Sequence, residues 1–240
     1  MEMITTLVLP GLDGTDLLLD RFRRLAPPDY EITVLALPDD PTAGYSELCD
    51  HFSETVASAG KCVLIGESFS GPLAVLLAQR HPNVVIHLVL VATFVVSPVP
   101  FVARWIPWPL FFRFPLPSFA ARRFMLGPAD DSLVNLLQRA VSTASPRTLT
   151  RRMRSVIKVD VSDQFRQLTC PVTCICPTND ALVSKRCLTT ISELRKDVIL
   201  KRIEGPHLIL QTQPEQAWKH IVDTTNAASC RQQTDAAKTD

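Results

Sequence analysis

The chain has 240 residues, of which 46% are apolar and 20% charged, and its formal net charge is +1. That length suits one α/β domain with an insertion and buries an ample core. The composition excludes a disordered chain, and the near-neutral balance gives no bulk signal for nucleic acid.

Short apolar runs alternate with helical patterns along the chain. Glu2 stands where a secretory leader carries basic residues, and residues 3–9 read as a strand, so no leader is expected. Residues 4–9 form the first predicted strand and open into Pro10-Gly11-Leu12-Asp13-Gly14, a glycine-rich loop. A helix over 16–25, a strand over 32–37, a helix over 46–59 and a strand over 62–66 follow. Gly66-Glu67-Ser68-Phe69-Ser70-Gly71 then leads into a helix over 72–80, with Pro72 tolerated in its first turn. The next strand spans 86–92. Its apolar stretch, 84–102, holds His87 and is broken by Pro98 and Pro100, so it is not the ~20-residue apolar helix of a membrane span.

Strand rhythm fails between residues 92 and 172. Residues 97–119 contain six prolines among Trp105, Trp108, Phe111, Phe112 and Phe114, and helical patterns recur at 118–125, 131–141 and 146–157. We read 97–166 as a helical cap inserted into a core made of 1–96 and 167–226. Strands over 172–176 and 198–203 and helices over 184–195 and 214–224 complete that core, and the polar stretch 227–240 is expected to fray as a flexible tail. The strands are nearly continuous in apolar residues, as in a parallel sheet covered on both faces. The expected fold is therefore α/β, with about six parallel strands flanked by helices.

Seven cysteines are present, an odd number without disulfide-framework spacing. Cys174 and Cys176 share one face of a strand and read as core packing rather than a metal site. No metal or cofactor is expected. Free thiols fit a reducing, cytoplasmic setting.

The chemistry centres on Ser68. A serine held between small residues at a strand-to-helix turn has the layout of an exposed nucleophile. It needs a base and an orienting carboxylate from loops at the carboxyl ends of other strands. Asp180, in Pro177-Thr178-Asn179-Asp180, and His207, in Glu204-Gly205-Pro206-His207, follow the fifth and sixth predicted strands. Taken alone, Asp180 reads equally as a turn or cap residue, and His207 as a surface histidine. His51, His81, His87 and His220 have no comparable place. The backbone N–H groups of Leu12 and Phe69 are the natural donors to an oxyanion, worth about 3–4 kcal/mol each.

These pieces resemble a small bacterial α/β-hydrolase: the Leu9–Gly14 loop, the Gly66–Gly71 turn, the Asp180 segment with Val183, and Gly205-Pro206-His207 followed by Gln213-Pro214-Glu215. The resemblance implies Ser68 as nucleophile, His207 as general acid/base, Asp180 as its partner, and Leu12 and Phe69 as oxyanion donors. Pro10 replaces the histidine usual before the oxyanion glycine, and Ser70 replaces the last glycine of the usual motif. The implied activity is a serine carboxylesterase acting on esters with an apolar acyl chain. An acyltransferase and a non-catalytic binding homologue stay open as alternatives.

Residues 97–166 carry eleven basic side chains against four acidic ones, +7, while the rest of the chain sums to −6. This leaves two readings, solvated helix faces or recognition of an acidic partner. Pimeloyl-carrier methyl ester esterases of biotin synthesis are similar in size and fold, which implies an acyl carrier protein as a candidate partner. Arg122, Arg139, Arg151, Arg152 and Arg154 are then the candidate contacts. Trp105 and Phe111 are expected to line an acyl pocket, in preference to touching lipid, because repeated prolines prevent a long amphipathic helix. No stable membrane insertion is expected.

Overall fold

The computed structural model describes residues 3–236. The strands are β1 (Ile4–Leu9), β2 (Tyr30–Val34), β3 (Cys62–Glu67), β4 (Val85–Val91), β5 (Val172–Pro177) and β6 (Ile199–Ile203). They form one six-stranded sheet in the order β2-β1-β3-β4-β5-β6, and every pairing is parallel. The helices are α1 (Asp20–Arg24), α2 (Tyr45–Ser58), α3 (Gly71–Arg80), α4 (Trp108–Phe111), α5 (Ser118–Ala121), α6 (Asp131–Thr143), α7 (Pro146–Lys158), α8 (Ser162–Gln167), α9 (Lys185–Leu194), α10 (Ile209–Thr212) and α11 (Pro214–Ala236).

Alternation along the strands builds two cores. Leu64, Leu88 and Cys174 pack with Phe52 of α2, Leu73 of α3 and Phe165 of α8 on one face. Val63, Ile65, Val89 and Ile175 pack with Phe22 of α1 and Trp218 and Ile221 of α11 on the other. Both faces are therefore apolar, which explains the continuous runs in the sequence.

Topology fixes where chemistry can happen. β1 leads to β2 on one side and β3 leads to β4 on the other. The chain thus reverses direction across the sheet between β1 and β3, and ligands of such sheets bind outside the strand ends at that point. The ends of β1 and β3 lie side by side, with Leu9 opposite Gly66.

The chain between β4 and β5 leaves and returns through a short antiparallel stem. Ser97 N–H donates to the Val159 carbonyl and Val161 N–H to the Val95 carbonyl, both at 2.9 Å. Its α6 buries Val134, Leu137 and Ala140 with Ala121 and Leu126 against Leu18 and Leu208 of the main body. No helix among the described residues is long and apolar enough to cross a membrane.

Several boundaries differ from the sequence reading. β2 is shifted to an earlier span because it is an edge strand: Glu31 and Thr33 are exposed, so it alternates rather than running apolar. Leu35 and Leu37 are buried beyond its end, where Leu37 N–H bonds to the Gly14 carbonyl instead of a strand. The 16–25 helix splits into a tight turn at Leu17–Leu19 and α1. The 118–125 helix widens into a π turn at Arg122–Leu126 after α5. α8, placed by sequence reading at the end of the cap, packs against α3 and buries Phe165 in the sheet's core. α11 continues to Ala236, past residue 227 where fraying is expected; residues 237–240 lie outside the described residues.

Candidate active site

Ser68 stands where β3 stops, with φ of 50°. A left-handed conformation on a serine costs about 1–3 kcal/mol and needs surroundings that enforce it. Ala92, at the end of β4 with φ of 48°, is the other such residue among the described non-glycines. The two meet through Thr93, whose hydroxyl donates to the Ser68 carbonyl. From the other side, the buried Tyr45 hydroxyl donates to the Phe69 carbonyl at 2.9 Å, its ring stacked on Phe69. Gly71 makes the turn possible: a Cβ there stands only 2.0 Å from Thr93 Oγ1. The serine is held up by packing on both flanks.

The three side chains predicted to meet do so. Ser68 Oγ lies 2.8 Å from His207 Nε2, and His207 Nδ1 lies 2.9 and 3.0 Å from the two Asp180 oxygens. This geometry suits a tautomer with the proton on Nδ1, donated to Asp180, and a lone pair on Nε2 facing the serine hydroxyl. The His207 and Asp180 side chains are only 2% and 6% exposed. Asp180 Oδ1 also accepts from the Leu182 and Val183 N–H groups at 2.8 Å, so the carboxylate is fixed by its own loop.

The two departures from the common motif touch each other. Ser70 Oγ donates to the Pro10 carbonyl at 2.5 Å, tying the serine turn to the loop after β1. That loop bends at Gly14, φ 76°, around a side chain from far along the chain. Arg152 of α7 is 1% exposed, and its guanidinium donates to the carbonyls of Leu12 (2.7 Å), Asp13 (2.9 Å), Pro38 (3.0 Å) and Leu37 (3.5 Å). A Cβ on Gly14 falls 2.5 Å from Arg152 Nη1. Burial lowers the Arg152 pKa from its ordinary value, and the charges of Asp13 and Asp39 act against that shift. The guanidinium thus holds the Leu12–Asp13 and Asp13–Gly14 peptide units, which directly follow the one that carries the Leu12 N–H.

Arg152 was expected to meet an acidic partner and instead is enclosed. Arg151 donates to the Thr42 carbonyl at 2.8 Å and pairs with Glu47 at 3.6 Å, and Arg122 bonds to the Ala129 carbonyl and Asp131. Arg139 and Arg154 are exposed. Trp105 and Phe111 are exposed too, Trp105 by 75%, and do not line an enclosed acyl pocket. The prolines that interrupt α4 and its neighbours turn these rings outward.

Behind the serine sits a group that the sequence reading did not single out. Glu67 is fully enclosed, and Gln211 Nε2 donates to its Oε2 at 3.3 Å. Glu67 Oε1 and Gln211 Oε1 have no partner. Burial pushes the Glu67 carboxyl up to about 8. Burial without a cation beside it disfavours the carboxylate, so the neutral acid suits this site. An acidic residue ending a wholly apolar strand was the available signal. No group of three or more His, Cys, Asp or Glu among the described residues is arranged to hold a metal ion.

A model of the alpha/beta hydrolase family matches residues 6–218. Among curated protein sequences none matches this chain. Solved structures do. A carboxylesterase from the ammonia-oxidizing thaumarchaeon Nitrososphaera gargenis superposes with a TM-score of 0.78 at 15% identity, covering 95% of this chain and 92% of that one. A membrane phospholipase A described as a bacterial virulence factor gives 0.79 at 19% identity, covering 95% and 80%. A thermophilic esterase from Thermogutta terrifontis gives 0.77 at 16% identity, covering 95% and 91%. At such identities the likeness is one of fold.

Proposed function

Since the chain belongs to the alpha/beta hydrolase family, we propose that it hydrolyses carboxylic esters through an acyl-enzyme on Ser68. The observation that carries this reading is the contact of 2.8 Å between Ser68 Oγ and His207 Nε2, with Asp180 behind the imidazole. Esterases among the proteins of the same fold support the substrate class.

In the proposed cycle Ser68 Oγ attacks the ester carbonyl while His207 Nε2 takes its proton. Asp180 stabilises the imidazolium that forms. The N–H groups of Leu12 and Phe69 hold the oxyanion. His207 then protonates the departing alcohol, leaving the acyl group on Ser68. Water enters, gives a proton to His207 and attacks the acyl carbonyl, and the proton returns to Ser68 Oγ as the acid leaves. An alcohol in place of water gives the acyltransferase alternative, which product analysis with competing acceptors separates from hydrolysis. A non-catalytic binding role predicts no turnover at all. Hydrolysis of a p-nitrophenyl ester, lost by about ten-thousand-fold in Ser68→Ala, is the test of the reading; activity that survives the substitution removes it.

The finer proposal is a methyl ester on an acyl carrier protein, as in pimeloyl-carrier chemistry of biotin synthesis. The +7 charge of residues 97–166 and the exposed Arg139 and Arg154 support it. Arg122, Arg151 and Arg152 lend it no support, since their guanidinium groups are bonded within the chain. A cytoplasmic location goes with this proposal, supported by the six buried free cysteines among the described residues. The double variant Arg139→Glu, Arg154→Glu should slow hydrolysis of a carrier-linked ester more than that of the free methyl ester. Equal slowing removes the carrier from the proposal.

A further inference from the structure

We infer that the exposed turns of residues 102–124 form a docking surface for an anionic lipid membrane. Trp105 is 75% exposed, Phe119 74%, Val102 68% and Phe114 66%, with Leu110 and Phe111 more than half exposed beside them. Apolar side chains scattered singly over a surface need no explanation, but a run of this size within one segment marks an interaction site.

Charge identifies the partner. From residue 84 to residue 129 the chain has no Asp or Glu, yet it carries Arg104, Arg113 and Arg123, besides Arg122, whose guanidinium is bonded to the Ala129 carbonyl and Asp131. The Arg104 guanidinium lies 4.9 Å over the Trp105 ring and that of Arg123 lies 5.4 Å over the Phe124 ring. Cation and aromatic ring are thus presented together, as an interface of anionic headgroups above acyl chains requires. A second copy of the chain fits less well, because a symmetric contact sets these arginines against one another. An acidic protein matches the charge but must also mould itself to several separate apolar wedges. A fluid bilayer closes around each one without a matching shape.

The turns have internal support. Trp108 Nε1 donates to the Ala103 carbonyl at 3.0 Å, and Trp108, Phe111 and Phe112 pack ring against ring. Prolines make the long amphipathic helix impossible, and the segment instead projects side chains from three short turns. Its far end reaches the candidate active site: the Leu208 N–H, next to His207, donates to the Met125 carbonyl at 2.9 Å. Docking therefore sets the serine beside the lipid surface, where an apolar ester is concentrated. The binding itself is independent of the serine chemistry, so it stands or falls separately from ester hydrolysis.

The test is co-sedimentation with vesicles, read together with tryptophan emission. The protein should sediment with vesicles containing about a third phosphatidylglycerol and bind pure phosphatidylcholine about tenfold more weakly. Its emission should shift to the blue and be quenched by brominated acyl chains, and Trp105→Phe should remove most of that response. The triple variant Val102→Ser, Phe114→Ser, Phe119→Ser should keep its thermal midpoint and lose about tenfold in vesicle affinity. Arg113→Glu with Arg123→Glu should abolish the preference for anionic lipid. Absence of binding to phosphatidylglycerol vesicles overturns the inference, as does binding untouched by the triple variant. A dimer in solution that the triple variant dissociates also overturns it, as does an acidic carrier protein that the wild type binds in place of vesicles.

Discussion

Both halves of the segment between β4 and β5 are basic, yet they place their arginines in opposite ways. Residues 102–126 turn aromatic and cationic side chains outward around prolines. Residues 131–158 fold into two amphipathic helices, and α7 drives Arg152 inward to four backbone carbonyls while Arg151 grips the loop after β2. Asp39, in that same loop, accepts from the Ser145 N–H at the start of α7 at 2.9 Å. One half is built to be covered by something else. The other half is already covered and fixes the loop that faces Ser68. Net charge alone cannot separate these uses; the difference lies in which helix face a residue occupies.

The largest expected effect comes from breaking the inward half. Arg152→Met leaves the carbonyls of Leu12, Asp13 and Pro38 without their donor, and chemical denaturation should show a loss of about 3–5 kcal/mol. Arg152→Lys should recover part of that stability while kcat stays low and KM changes little, because one ammonium cannot reproduce the planar fork that holds the Leu12 and Asp13 carbonyls and so steadies the loop carrying the Leu12 N–H. Full activity in Arg152→Lys contradicts the positioning role.

Next in size is the pH signature of Glu67, on the same enclosed side. Its folded pKa, about 8, lies above the ordinary 4.5. Between those values the folded state holds a proton that the unfolded chain has released, so stability falls as pH rises from about 4.5 to about 8. Glu67→Gln keeps the shape of the neutral acid and cannot ionise. It should melt above the wild type at pH 8, by the equivalent of about 2–4 kcal/mol, with the gap closing toward pH 5. His87 acts the other way: burial holds it at about 4, so its contribution is lost as pH falls below 6.5, in both proteins equally. A gap that does not change with pH contradicts the assignment of Glu67.

Ser70→Gly restores the common motif residue and removes the bond to Pro10. Denaturation should register a loss of about 1 kcal/mol, and kcat a few-fold fall. The smallest effect belongs to the outward half: Arg113→Glu with Arg123→Glu should leave stability within about 0.5 kcal/mol. A larger loss there erases the contrast between the two halves.

Much of this arrangement is legible in the residues. Six apolar runs announce a parallel sheet, and Ser68, Asp180 and His207 each follow the strand end that brings them together. The direction of Arg152 is legible too, but only by helical period. It lies three residues after Leu149 and four before Val156, on the buried stripe of α7, whereas Arg154 lies off it. Counting charge without period hides this. β2 is missed by three residues at its end because an edge strand alternates instead of running apolar. The bond between Ser70 and Pro10 depends on β1 and β3 being neighbours, and the outward set of Trp105 and Phe111 depends on turns that prolines shape without naming. Those features belong to tertiary contacts, which local pattern does not carry.

The most direct measurement is labelling by a fluorophosphonate, with the modified peptide located by mass spectrometry. One phosphonyl group on Ser68, abolished in His207→Ala and in Ser68→Ala, is the expected result. Labelling of another residue, or undiminished labelling of Ser68 without the imidazole, contradicts an activated serine at the end of β3.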